Sequence, residues 1–189
     1  MRNSKKLKRV FSVLEVPLLL ALLGLILFQF TGAACPPAAD TKDHILGYDQ
    51  VDSGGHCDYD ARYTMFATQV ATATSRWNAH RSLFRPDSSS TALDLRIEDY
   101  YDTTDLIAGY TTFGTTAGKI RLNIAFLELD SSWTPNNKMH TIMHELGHAL
   151  GLADHNDGLS TNVMKQGKLT NVTLTSEDKA SFNAAAARY

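Results

Sequence analysis

The chain is poor in cysteine and in net charge. Two cysteines among 189 residues allow one internal disulfide at most. Eighteen Lys and Arg against 20 Asp and Glu leave a formal charge of −2. That balance gives no electrostatic footprint for nucleic acid, so no nucleic-acid partner is expected. It does not imply a strongly acidic substrate either. No internal repeat is visible. What remains is ordinary for a globular protein, with 43% apolar and 20% charged residues, and the length predicts one folded domain.

One long apolar run is present, at the N-terminus. MRNSKKLKRV carries Arg2, Lys5, Lys6, Lys8 and Arg9, Val16 to Phe30 is almost uninterrupted apolar sequence, and Gly32-Ala-Ala precedes Cys35. A basic segment, an apolar segment and a small-residue site predict a secretory signal over residues 1–34. The competing reading is a retained membrane anchor. Counted from Val10 the run is about 20 residues, long enough to span a bilayer, although Glu15 interrupts it. Cys35 resembles a bacterial lipoprotein acceptor, with Gly32 where such sites usually carry Leu. If Cys35 is lipidated, Cys57 is a lone thiol; if not, the two can form a disulfide. Each reading puts the protein outside the cytoplasm, secreted or tethered to the outer face of the membrane. Membrane contact is expected only through this segment or a lipid on Cys35.

Residues 35–43 read as a Pro- and Ala-rich linker, and 44–189 as the working domain. HILGYDQV reads as a first strand and DSGGHCDYD as a loop. ARYTMFATQVATATSRWNAH puts Tyr63, Phe66, Ala67, Val70, Ala71 and Trp77 at helical spacing. RPDSSS reads as a loop. TALDLRI, LIAGYTTF and KIRLNIAFLEL read as three strands. Asn136 or Asn137 can cap a helix that stops at Gly151. A loop from Leu152 to Leu174 follows. Thr175-Ser-Glu-Asp178 is a capping box that opens a last helix reaching Arg188. The order predicts an α/β architecture, a twisted sheet backed by helices.

The chemistry is concentrated in HTIMHELGHALGLADH, His140 to His155. Residues four apart on a helix share a face, so His144 and His148 can put two imidazoles on one metal. Glu145 is placed to take a proton from a zinc-bound water as it attacks a carbonyl. The bland alternative is a helix with two surface histidines. His140 lies one turn earlier. Eight residues rise about 12 Å along a helix, so His140 and His148 do not share an ion, and His140 reads as a rim or polar-face residue. Gly151 tolerates positive φ and lets the chain turn back beneath the metal. The third ligand is then Asp154 or His155. Adjacent residues in an extended segment point opposite ways, so the two do not bind together.

HELGHALGLADH resembles the zinc signature of the metzincin peptidases, HExxHxxGxxH. The third-ligand position of that pattern falls on Asp154, with His155 one place late. Snapalysin-like small secreted neutral proteases of bacteria carry Asp at that position, and ADHNDGLSTNVMKQG resembles their following segment. Met164 matches the turn methionine that metzincins place beneath the zinc. The resemblance implies a zincin (metzincin-like) fold, a mostly parallel twisted sheet with an active-site helix and a C-terminal helix. It implies a cleft-edge strand before the active-site helix, for which KIRLNIAFLEL, with Ile120, Leu122 and Asn123, is the candidate. Gln166 stands where many metzincins carry a Tyr near the zinc, so help from such a Tyr is not implied. Cys57 can be considered as a latency thiol on the zinc, but no surrounding motif supports that role.

The sequence thus predicts a secreted or cell-surface zinc metalloendopeptidase, a hydrolase of protein or peptide substrates, with one catalytic zinc. It is expected to be monomeric. The alternative from another class is a non-catalytic exported zinc-binding or adhesion module with the same fold, against which the intact Glu145 argues. A third is a metal-dependent hydrolase of a non-peptide amide. The acidic stretch EDYYDTTD, Glu98 to Asp105, makes calcium conceivable, but a solvated loop explains it as well, so calcium is not supported.

Overall fold

The first strand is CDYDARY, whose first four residues read as loop in the sequence and whose last three read as the start of a helix. A computed structural model describes residues 44–88, 91–156 and 161–189. The predicted signal or anchor over 1–34, the linker and Cys35 lie outside the described residues. Among the described residues, no helix is long and apolar enough to cross a membrane.

Strand β1 (Cys57–Tyr63) buries Cys57, Asp58, Tyr59 and Asp60 together. The two acids tolerate burial because each meets a guanidinium. Asp58 accepts two 2.8 Å bonds from Arg85, and Asp60 accepts bonds of 2.9 and 2.8 Å from Arg62. Apolar alternation is therefore missing from a strand that nevertheless lies inside the sheet, paired on both sides. HILGYDQV, predicted as a strand, forms only an isolated antiparallel bridge between Ile45 and Leu152.

Helix α1 (Ala67–Asn78) follows, starting six residues later than the apolar spacing suggests. It buries Val70, Ala73, Thr74 and Trp77, whereas Tyr63, Ala67 and Ala71 face solvent. RPDSSS, predicted as a loop, contributes to the short strand β2 (Phe84–Pro86). Then come β3 (Leu95–Tyr100), β4 (Gly109–Thr112) and β5 (Gly118–Asn123). The predicted third strand does not run to Leu129. It stops at Asn123, whose side chain accepts from Ala125 N–H at 3.1 Å and caps a one-turn helix, α2 (Ile124–Leu127).

The five strands form one sheet in the order β2-β1-β3-β5-β4. Four are parallel, and β4 runs antiparallel along β5. This is an α/β fold with a mostly parallel sheet. The predicted cleft-edge strand is corrected by this order: Ile120, Leu122 and Asn123 lie in β5, paired on both sides and buried. A strand flanked by two neighbours has no free backbone groups for an extended peptide. Among the described strands, the edge on that side is β4.

Helix α3 (Pro135–Ala149) packs beside the sheet and against α1. Its N-cap is Thr134, in a reciprocal capping box with Asn137, rather than either predicted asparagine. Trp77 of α1 donates its indole N–H to the Met143 carbonyl at 3.0 Å, fixing the two helices in register. Helix α4 (Ser176–Ala186) starts at the predicted Thr175–Asp178 capping box. Its Phe182 meets Trp77 edge-to-face at 5.6 Å. α3 is thus enclosed by α1, the sheet and the segment after it, and every residue from His140 to Ala149 is buried.

Candidate metal centre

His144 and His148 lie one turn apart on α3, and backbone carbonyls outside the helix fix both rings. His144 donates Nδ1–H to the Val163 carbonyl at 3.0 Å, and His148 donates Nδ1–H to the Leu152 carbonyl at 2.8 Å. A carbonyl can only accept, so both rings carry their proton on Nδ1. In the neutral rings the Nε2 atoms are then lone-pair atoms, and they face each other at 3.0 Å.

Gly151 creates the return that supplies the third atom. Its φ of 86° ends the helix, and its N–H returns to the His148 carbonyl at 2.8 Å. The chain then brings Asp154 Oδ1 to 3.2 Å from His144 Nε2 and 3.5 Å from His148 Nε2. Oδ1 is buried and accepts no hydrogen bond, while Oδ2 accepts from Gln166 Nε2 at 2.7 Å.

These three atoms fit a divalent cation. Two atoms each about 2.0–2.1 Å from one tetrahedral ion stand ~3.3 Å apart. The separations here run from 3.0 to 3.5 Å. Three converging lone-pair atoms, one of them an orphaned buried oxygen, have no favourable arrangement without a cation or an added proton.

His155 points the other way. It is 1% exposed, with Nε2 3.0 Å from Ser181 Oγ and Nδ1 3.3 Å from Asn162 Nδ2. Its ring also packs on His44 at 4.3 Å. It ties the return loop to α4.

Glu145 sits beside the pair. Thr111 Oγ1, on β4, lies 2.8 Å from Glu145 Oε2 and 3.0 Å from its backbone carbonyl. β4 can approach this closely because residue 109 is glycine. A Cβ there would stand 3.1 Å from Thr141 Cγ2 and 3.3 Å from Glu145 Cγ. Met164 is fully buried beneath α3, and its turn is clamped from α4: Asp178 accepts from Val163 N–H at 3.0 Å and from Met164 N–H at 3.2 Å.

A shallow solvent-open cleft runs past His144 and Glu145, lined also by Ile107, Gly109, Trp133, His140 and Gln166. His140 is not the rim residue expected from sequence. It is buried and stacked on His144, with 6.0 Å between ring centroids.

The chain is similar to a secreted bacterial protease. It is 31% identical over 122 residues to the extracellular small neutral protease of Streptomyces sp. (strain C5). The match covers 62% of this chain and 50% of that protein, so the chain spans about half the length of the curated relative it matches. No protein-family model matches. A solved structure described as the GM1-bound form of the ECX AB5 holotoxin aligns with a TM-score of 0.40 and 19% identity, over 69% of this chain and 71% of that one.

Two other features considered from sequence are occupied differently. Cys57 is fully buried in β1, and burial, then the carboxylates of Asp94 and Asp58, push its thiol up. A buried neutral thiol does not serve as a latency ligand. In EDYYDTTD, Asp102 Oδ1 accepts from Thr104 N–H and Asp105 N–H at 2.7 and 3.1 Å, and Asp105 Oδ2 accepts from the Tyr100 hydroxyl at 3.0 Å. A second acidic group, Asp52, Asp58 and Asp94, is closed by Arg85, which pairs with Asp58 and reaches Asp52 at 3.9 Å.

Thr111 and Gln166 were not singled out as partners of the site from sequence. Thr111 lies 34 residues from Glu145. Gln166 stands where the resemblance places a Tyr, and its contact with Asp154 crosses 12 residues of chain. Only the tertiary fold pairs either with the motif.

Proposed function

We propose that this protein is a secreted or cell-surface zinc endopeptidase of metzincin type, with His144, His148 and Asp154 as metal ligands and Glu145 as the proton carrier. The carrying observation is the convergence of His144 Nε2, His148 Nε2 and Asp154 Oδ1 within 3.5 Å, with Glu145 at their side and an open cleft in front. The likeness to a protein named an extracellular neutral protease supports the same reading, including export.

Zinc, when bound, supplies a Lewis acid that lowers the pKa of a water and polarises a carbonyl oxygen. The chain's own residues do the rest. Glu145 takes the proton released as water adds to the scissile carbonyl and delivers it to the departing amine. Thr111 donates to Oε2 and holds that carboxylate toward the cleft. The outer edge of β4, last in the sheet among the described strands, offers backbone groups to an extended peptide, the usual chemistry of strand addition. The fully paired β5 cannot. An Asp in place of a third His makes the site less positive, so it generates its nucleophile less readily at low pH.

Hydrolysis of casein by the purified full chain tests the reading. Activity that a chelator abolishes and zinc restores is expected. Glu145→Ala should keep the metal and lose activity by a factor of roughly 10²–10⁴. Full activity in Glu145→Ala contradicts the proton-carrier role. A folded, zinc-loaded parent inert on every peptide is the signature of a binding module.

A further inference from the structure

Asp154 has two chemically equal oxygens, and the surrounding protein distinguishes them. Oδ2 accepts from Gln166 Nε2 at 2.7 Å, while Oδ1 accepts nothing and faces the two imidazoles. The amide orientation is fixed from both ends. A carboxylate only accepts, so Gln166 must present its NH₂ to it, and its Oε1 accepts from Asn156 Nδ2 at 3.2 Å. The backbone holds the two segments side by side, His155 N–H donating to the Met164 carbonyl at 2.8 Å. Gln166 also arrives from a rigid place. It follows Met164 by two residues, in the turn clamped by Asp178. It lines the cleft together with His144 and Glu145.

We propose that Gln166 is a positioning residue for the metal site: its amide holds Asp154 as a one-oxygen ligand, aims Oδ1 at the ion, and so keeps the open face of the metal free for substrate. The inference rests on the metal-site reading above. A carboxylate without this partner can rotate and offer both oxygens, which fills a coordination position that a catalytic zinc keeps for water or substrate. An amide N–H is not acidic enough to give up a proton during turnover. Gln166 therefore acts through Asp154 and not on the reacting atoms.

The test uses the full chain, stripped of metal and titrated with zinc against a chromogenic chelator, then loaded with cobalt(II) for its visible spectrum. Gln166→Met keeps side-chain length and removes the donor. Zinc affinity is expected to fall about 10- to 100-fold, in the range seen for outer partners of metal ligands. The cobalt spectrum should change, and kcat should fall more than KM rises. The unfolding midpoint of the metal-free chain should not move, because Gln166 is half-exposed. Gln166→Glu, which sets a carboxylate against Asp154, should weaken zinc further. Unchanged affinity and spectrum in Gln166→Met overturn the proposal and leave the metal site standing. Weaker affinity with an equally lowered metal-free midpoint also overturns it, since that marks a merely structural contact. A folded parent that binds neither ion removes the metal-site reading and this inference with it.

Discussion

Gly147 and Met164 occupy adjoining halves of one buried space. A Cβ on Gly147 would overlap the Met164 sulfur and stand 3.1 Å from both Met164 Cε and Trp77 Cζ2. The glycine between Glu145 and His148 is therefore what lets the methionine turn pack under the helix, and that turn carries the Val163 carbonyl that orients His144.

Gly147→Ala should overpack this contact and destabilise the fold by about 1–3 kcal/mol. Met164 and Trp77 are fully buried, so the methionine side chain must repack inside the core to admit the methyl group. Chemical denaturation checks it, with zinc affinity measured alongside. A variant as stable as the parent, or more so, contradicts the packing described.

Thr111→Val removes a hydroxyl and keeps the shape. The donor to Glu145 Oε2 is lost, so kcat on a peptide should fall roughly 10-fold while zinc affinity holds. Steady-state kinetics beside a zinc titration separates the two. Unchanged kcat removes Thr111 from the site.

How far the site was legible follows from the range of each signal. The pairing of His144 with His148 and the helix end at Gly151 are local, set by helical period and by a backbone only glycine accepts readily. The Thr175–Asp178 box was legible for the same reason. β1 was not, because Asp58 and Asp60 are buried through Arg85 and Arg62, and an ion pair leaves no apolar alternation in the sequence. The resemblance points to the strand before α3 in chain order, which is β5, whereas sheet order puts β4 outside it. His140 was placed on a rim because its burial comes from the packing around α3, not from its own spacing.

Acid should weaken the metal-free fold through His140. Burial, and then the neighbouring His144, push its imidazole from an ordinary 6.5 down to about 3. Below 6.5 the unfolded chain takes up a proton that the folded chain refuses. The unfolded state then binds more protons, so stability falls as pH drops from 6.5 toward 3. The loss reaches on the order of 4 kcal/mol at pH 3. Urea unfolding of the metal-free chain across this range should show a shallower decline for His140→Leu. Equal slopes contradict the assignment.

The central claim is that Asp154, not His155, completes a metal site with His144 and His148. Zinc per chain in the purified full-length parent, Asp154→Ala and His155→Ala tests it most directly. One zinc per chain is expected in the parent, almost none in Asp154→Ala, and one in His155→Ala where that variant still folds. His155→Ala is expected to be less stable, since it breaks the Ser181 contact. Zinc lost only from a folded His155→Ala chain, or absent from the folded parent, contradicts the account.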